Sequence, residues 1–184
     1  MDRRSVLRGG ALGAFLFQVG GAASWLTPAE ARAAGASLKT LTAAEAATLE
    51  AFGEVLLPGA RAAGIAHFID SQISGDPEMS LLMLRYLDVP PTDHAGFYKA
   101  SLAALDGYSR SSTGKGFAEL SPDAAAKLVG AIAQAPPDGW RGPPSPLVYF
   151  AIRSDAVDVV YGTQAGFEKL GIPYMAHIEP PRPW

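Results

Sequence analysis

The sequence predicts an all-α protein, built as an irregular bundle of about six helices with an extended C-terminal tail. Apolar residues recur at helical spacing through residues 34–160, and capping or helix-breaking residues stand at the ends of these runs. No stretch after the first 33 residues sustains the alternation of a strand. Residues 34–184 have the length of one domain, and we expect the helical domain over 34–160 and the tail over 161–184.

Residues 1–33 have the composition of an export signal. Arg3 and Arg4 stand side by side with Val6 and Leu7 just behind them, and an uncharged apolar run and small residues follow. A basic start, an apolar run and a small-residue cleavage site are the three parts of a secretory signal. The paired arginines make it resemble a twin-arginine signal. We therefore expect export to the periplasm.

An alternative for the apolar run is a retained membrane anchor. The run covers residues 11–26, about 16 residues, which is short of the ~20 that a helix needs to cross a bilayer, and glycines interrupt it. The Ala-x-Ala triplets at 29–31 and 31–33 favour cleavage by a signal peptidase. We expect a cleaved signal outside the fold, in preference to an anchor or a disordered leader.

The first helix of the domain is the best marked. Thr42 and Glu45 form a capping box, and an apolar stripe leads from Leu49 to Leu56 before Pro58-Gly59 stops the helix. The other helices are predicted from their stripes and breakers, namely Ile65 to Ile73, Pro77 to Leu87, Asp93 to about Tyr108, one opened by Ser121-Pro122, and a last long one opened by Ser145-Pro146. Polar or Pro/Gly-rich loops, including 109–116, separate them.

The tail from Tyr161 onward is rich in glycine, proline and aromatic residues. Its prolines forbid a long helix and favour extended geometry. The aromatic and apolar side chains of such a tail must be buried, either on the bundle of this chain or on another protein.

Charge and cysteine content exclude several kinds of site. The chain has 15 Lys and Arg against 18 Asp and Glu, and without the leader 11 basic and 16 acidic residues are left, a formal charge of −5. A net-acidic domain without a basic cluster is a poor binder of nucleic acid, so we expect no nucleic-acid partner. The absence of cysteine excludes thiolate-bound zinc, iron–sulfur clusters, covalent c-type haem and cysteine nucleophiles.

The three histidines form no recognisable site. His67 and Asp70 lie three residues apart on one helical stripe and could share a metal ion or a proton, although such pairs are more often ordinary polar residues of a helix. His94 falls at a helix start, and His177 with Glu179 gives two ligands where a catalytic zinc needs three. No nucleotide-binding, metalloprotease or serine-hydrolase motif occurs. We therefore predict no catalytic, cofactor-binding or metal-binding residue in this chain.

The last helix and the tail contain the residues that we predict to bind a partner. Arg153 and Asp155, with the nearby Asp158, could form a buried polar contact or dock another protein, although most charges on a helix face are simply solvated. The aromatic candidates are of types enriched at interface hot spots: Tyr161, Phe167, Tyr174 and Trp184.

Several segments of the chain occur together in one protein family. They are the leader Arg3-Arg4-Ser5-Val6-Leu7, the first helix from Leu41-Thr42-Ala43-Ala44-Glu45 to Leu56-Leu57-Pro58-Gly59, the tripeptide Ala63-Gly64-Ile65, and the C-terminal stretch from Ile152-Arg153-Ser154-Asp155-Ala156-Val157 to Pro173-Tyr174. On these residues the chain resembles the gluconate 2-dehydrogenase subunit 3 family. The resemblance covers most of the chain after the leader.

This resemblance implies a non-catalytic small subunit of a periplasmic FAD-dependent dehydrogenase of the glucose-methanol-choline type, which oxidises gluconate, another sugar or an alcohol. The FAD would be bound by the large subunit, and a cytochrome c subunit is a further partner in such complexes. The small subunit would bring the large one to the twin-arginine translocase and stabilise it. Attachment to the membrane through the complex stays open.

Two other hypotheses compete with this one. The chain could be a stand-alone periplasmic helical protein that binds a small molecule in a pocket. The weakest alternative is a small enzyme or haem protein that uses His67 or His177.

Overall fold

The computed structural model describes residues 14–173, which form one antiparallel hairpin and seven α-helices. The strands and helices are β1 Phe15–Val19, β2 Ala22–Leu26, α1 Pro28–Ala33, α2 Ala43–Leu56, α3 Ile65–Ile73, α4 His94–Thr113, α5 Pro122–Gln134, α6 Ser145–Tyr161 and α7 Gln164–Lys169. Short 3-10 helices lie at Pro77–Met79, Met83–Tyr86, Pro91–Asp93 and Phe117–Glu119. The predicted all-α class is confirmed.

One apolar core holds the bundle together, with α2 at its centre. Helix α2 contacts α3, α4, α5 and α6. Large side chains from all five helices are fully or almost fully buried in this core: Leu49, Phe52, Ile65, Ile69, Leu102, Leu105, Ile132 and Ile152. Burial of one such side chain contributes about 1.5–3 kcal/mol, so this core is the main source of stability.

Helix α2 starts and stops as its sequence predicts. The Thr42 hydroxyl accepts a hydrogen bond from the Glu45 amide at 3.2 Å, and the Glu45 carboxylate accepts one from the Thr42 amide at 2.7 Å. After Leu56 the backbone becomes extended at Leu57, before Pro58. The predicted bounds of α3 and the starts of α5 and α6 are likewise confirmed.

The third predicted helix is wrong, because two short 3-10 helices separated by extended backbone stand in its place. The amide groups that a helix would bond internally are bonded to side chains elsewhere in the chain. The Leu81 amide donates to the Gln72 side chain at 2.9 Å, and the Met83 amide donates to the Asp155 carboxylate at 2.9 Å. We call residues 76–90 the 3-10 segment.

Helix α4 is longer than predicted, since part of the expected loop over 109–116 is helical. It ends at Thr113, where Gly114 takes the left-handed conformation, with φ of +76°, that commonly closes a helix. Hydroxyl groups of the last turn donate to backbone carbonyls within the helix, which suits serine and threonine to this position.

The start of the tail also differs from the extended geometry that the sequence predicts. Residues Gln164–Lys169 form α7, and the Thr163 hydroxyl caps it by accepting from the Gly166 amide at 3.0 Å. The backbone of Gly166 packs closely on that of Tyr161, where a Cβ atom would lie 2.5 Å from the Tyr161 Cα. Tyr174, Trp184 and the other residues after Pro173 lie outside the described residues.

Residues 14–33 were expected to lie outside the fold, but they pack on it. Gly20 and Gly21, at φ of +56° and +84°, form the two-residue turn between β1 and β2, a conformation that glycine adopts readily. Helix α1 follows and contacts α3. Arg3, Arg4 and the rest of the first 13 residues lie outside the described residues. Among residues 14–173, no helix combines the length and apolar character required to span a bilayer.

Candidate functional site

The outward side of α6 is apolar at two positions where a surface helix is usually polar. Phe150 is 48% exposed and Val157 is 37% exposed, while the opposite side of the helix is buried in the core. Arg153, Asp158 and Tyr161 lie at the helical spacing that places them on this same side. We call these five residues the outer stripe of α6.

A cleft of about 490 Å³ lies beside the end of this stripe. Phe15 and Phe68 form part of its wall, and Leu81 and Tyr86 of the 3-10 segment stand at its edge. Leu81 is 51% exposed and Tyr86 is 72% exposed. Because Leu81 and Tyr86 line the same cleft as Asp158 of the outer stripe, they continue the exposed surface from the stripe onto the 3-10 segment. We call the stripe together with these two residues the partner face.

Asp155 lies on α6 but not on the partner face, since its side chain is fully buried. Its carboxylate accepts hydrogen bonds from the Met83 amide, at 2.9 Å, and from the Tyr98 hydroxyl. The prediction that Asp155 docks a partner is therefore wrong for the free chain, because its buried carboxylate forms an internal polar contact. It fastens the 3-10 segment to α6 and so positions Leu81 and Tyr86 next to the stripe.

Burial makes Asp155 an unusual acid. It raises the pKa of this carboxyl group to about 7, against the opposing effect of the hydrogen bonds from Met83 and Tyr98, and the nearby Asp158 adds to the increase. Burial also raises the pKa of the Tyr98 hydroxyl well above its ordinary value, and the charge of Asp155 contributes. The Asp155 carboxyl group consequently changes its charge near neutral pH.

His67 and Asp70, which the sequence places on one stripe, do not converge on a shared ligand site. The His67 Nε2 atom donates to the Ala36 carbonyl at 3.1 Å, and its Nδ1 atom is buried without a hydrogen-bond partner. The Asp70 carboxylate accepts from the backbone amides of Lys39, Thr40 and Leu41 at 2.8–2.9 Å. Both residues fasten the segment before α2 onto α3.

His94 is also buried and has partners within its own region. Its Nε2 atom donates to the Val89 carbonyl at 3.2 Å, and its Nδ1 atom lies 3.4 Å from the Ser80 hydroxyl. His177 and Glu179 lie outside the described residues. Within residues 14–173, no three His, Asp or Glu side chains form a group that could hold a metal ion.

The predicted partner-binding residues fall into four groups by position. Arg153 is exposed and Tyr161 half-buried on the partner face, and the Lys169 ammonium group lies 5.7 Å from the centre of the Tyr161 ring. Phe167 is half-buried on α7. Asp155 is inside the protein, while Tyr174 and Trp184 are outside the described residues.

Sequence reasoning missed Leu81 and Tyr86. The leucines of this region recur at helical spacing, which predicted a buried helical stripe. Their exposure depends on hydrogen bonds to Gln72 and Asp155, and no local signal reports those contacts.

The described part of the chain is therefore mostly helical, and its surface includes an exposed apolar face, a feature that often marks a contact with another protein. The model of the family gluconate 2-dehydrogenase subunit 3 matches residues 43–177. The chain thus belongs to the gluconate 2-dehydrogenase subunit 3 family, and is an accessory subunit of a dehydrogenase complex. Comparisons with curated proteins and with solved structures gave no significant match.

Proposed function

We propose that this chain is the non-catalytic small subunit of a periplasmic, FAD-dependent dehydrogenase of the glucose-methanol-choline type. It binds the large subunit, stabilises it, and brings it to the twin-arginine translocase by means of the leader signal. The FAD is bound by the large subunit, and a cytochrome c subunit is a further partner. Membership of the family supports the proposal, because the family is named for a subunit of gluconate 2-dehydrogenase, which is a dehydrogenase complex.

The partner face is the observation that supports it most directly. Interface cores are enriched in aromatic residues and arginine, and this face offers Phe150, Tyr86 and Tyr161 beside Arg153. Its large apolar side chains lose contact with water when a partner covers them, and each contributes about 1.5–3 kcal/mol when fully buried. Exposed on this chain alone, the same side chains contribute little to its own stability.

A charge on the face tests the proposal. We would express the full tagged chain in its native host with Val157→Asp, and with Ala131→Asp as the matched control, since Ala131 is exposed on α5. Flavin recovered per tagged chain after mild purification is the measurement. The wild type and the control should copurify with a flavoprotein, whereas Val157→Asp should recover about tenfold less flavin, because burying an unpaired carboxylate weakens binding.

Two results would contradict the proposal. One is a wild-type chain that emerges without any flavoprotein. The other is a Val157→Asp chain that recovers as much flavin as Ala131→Asp, because the partner face would then not be the contact.

The cleft of about 490 Å³ favours one alternative, a stand-alone protein that binds a small molecule, since ligand pockets commonly have volumes of about 300–1,000 Å³. Native mass spectrometry of the same preparation separates the two. A stand-alone binding protein would appear as a monomer with a bound small molecule, and a subunit would appear in a larger complex.

A further inference from the structure

The hairpin and α1 form a layer that is packed on the outside of α3. The Phe17 ring is 4% exposed and lies edge-on to the His67 ring, with 6.1 Å between their centres. The Phe15 ring makes a similar contact with Phe68 at 5.9 Å. The Ser37 amide donates to the Gln18 carbonyl at 3.0 Å, which ties β1 to the segment that leads into α2. We call residues 14–33 the N-terminal layer.

Helix α1 is fitted to the start of α3 by a close backbone contact. Gly64 precedes α3 with φ of +83°, and a Cβ atom at this position would lie 2.1 Å from the Pro28 carbonyl oxygen. Only glycine allows both this conformation and this approach. Gly59 has a similar φ of +98°, but a Cβ atom there would meet no atom within 4 Å.

An ion pair fastens the other end of α1 to α2. The Arg32 guanidinium group donates to both carboxylate oxygens of Glu50, at 2.9 and 3.4 Å. Between these two contacts, the Ala31 side chain is fully buried on the inner side of α1. The helix also has a complete capping box at Thr27 and Glu30. These contacts join the layer to α2 and α3 at both ends.

The two Ala-x-Ala triplets that the sequence marks for cleavage both lie within α1, at 29–31 and 31–33. A peptidase binds its substrate as an accessible, extended segment. Ala31 belongs to both triplets, and in the folded chain it lies on the buried side of α1. Cleavage therefore requires the layer to leave α3 first. Its rate depends on how often this opening occurs.

We propose that residues 14–33 are a lasting structural layer of the folded chain, and that docking on α3 protects both cleavage sites, after Ala31 and after Ala33. In the native host the folded protein therefore keeps this layer, in place of the removal that the leader's sequence alone suggests. The proposal concerns contacts within this chain and does not depend on which partner it binds.

The first test is the mass of the chain purified from its native host. An intact mass that includes residues 14–33 supports the proposal. A chain that begins at residue 32 or 34 overturns it.

The second test measures protection of the triplets directly in the purified full chain. Elastase cuts after small residues, so the rate of cleavage within residues 29–35 can be followed by mass spectrometry. We expect Gly64→Ala to be cut about tenfold faster than the wild type, because the new Cβ atom displaces Pro28 and opens the layer. Gly59→Ala has the same backbone strain without the clash, and should be cut at close to the wild-type rate.

A second variant is needed because Gly64→Ala could speed cleavage by disturbing α3 itself. Phe17→Asp changes only the layer's own side chain, and it should speed cleavage within 29–35 while circular dichroism reports an unchanged helical bundle. Equal cleavage rates for the wild type, Phe17→Asp and Gly59→Ala would overturn the proposal, because docking would then give no protection.

Discussion

At the scale of single residues, Asp155 joins three parts of the chain through one carboxylate. It binds the 3-10 segment through the Met83 amide and α4 through the Tyr98 hydroxyl, while its own backbone belongs to α6. A buried carboxylate is costly when charged, which is why its pKa is raised to about 7.

This raised pKa predicts how stability depends on pH. The folded chain holds the Asp155 proton up to pH of about 7, whereas the unfolded chain loses it near the ordinary value of 3.8. The stabilisation is therefore complete below the ordinary pKa, and is lost as the pH rises toward and through 7. At 1.36 kcal/mol per pKa unit the loss is at most about 4 kcal/mol. Asp155→Asn removes this titration.

Urea unfolding at a series of pH values measures the effect. The free energy of unfolding of Asp155→Asn should change less than that of the wild type between about pH 4 and pH 8. Asp138→Asn is the control, since Asp138 is exposed in the loop before α6 and should leave the wild-type profile unchanged. Identical pH profiles for the wild type and Asp155→Asn would contradict the raised pKa of the Asp155 carboxyl group.

At the scale of elements, the helix starts were predictable because their signals are local. Thr42 with Glu45 and Ser121 with Pro122 both cap helices where the sequence places them. The 3-10 segment was not predictable, because its amides are bonded by residues that are distant in sequence. The hairpin was missed for a different reason. Gly20-Gly21 between apolar runs fits a two-residue hairpin turn, but it also fits the apolar region of an export signal.

The cap of α2 gives a prediction at this scale. Thr42→Ala removes the acceptor of the Glu45 amide and should lower the free energy of unfolding by about 1 kcal/mol. Thr92→Ala is the control, because Thr92 is exposed and caps no α-helix, and its effect should stay within about 0.5 kcal/mol. Chemical denaturation of both variants is the measurement. An equal effect of the two changes would mean that the capping bond contributes nothing.

At the scale of the whole molecule, the sequence predicted the family and the helical class. It also selected Arg153 and Tyr161, which lie on the surface that we propose as the contact with the large subunit. It did not predict that Leu81 and Tyr86 join them, since their position depends on tertiary contacts of the 3-10 segment. The sequence also could not show which acidic residue of α6 is buried and which is exposed. Asp155 and Asp158 are three residues apart, yet the first is buried and the second is exposed.

The proposed escort role predicts that export of the large subunit depends on this chain's leader. Arg3→Lys combined with Arg4→Lys keeps the positive charge but removes the paired arginines, and it should leave both subunits in the cytoplasm. Arg8→Lys is the control and should permit export. Cell fractionation with an assay for flavin in the periplasmic fraction measures both. Normal export of the large subunit in the double variant would refute the escort role.

The position of Asp155 in the sequence also bears on how the chain is made. The Met83 amide precedes its acceptor by 72 residues and the Tyr98 hydroxyl by 57. Because a ribosome releases the N-terminal part first, a nascent chain that has not reached α6 lacks the group that fastens the 3-10 segment. During that interval the 3-10 segment exposes apolar side chains on a backbone that is not yet held in place, namely those of Met79, Leu81 and Tyr86. A chaperone would bind the unfinished chain at this segment, and two unfinished chains would aggregate through it.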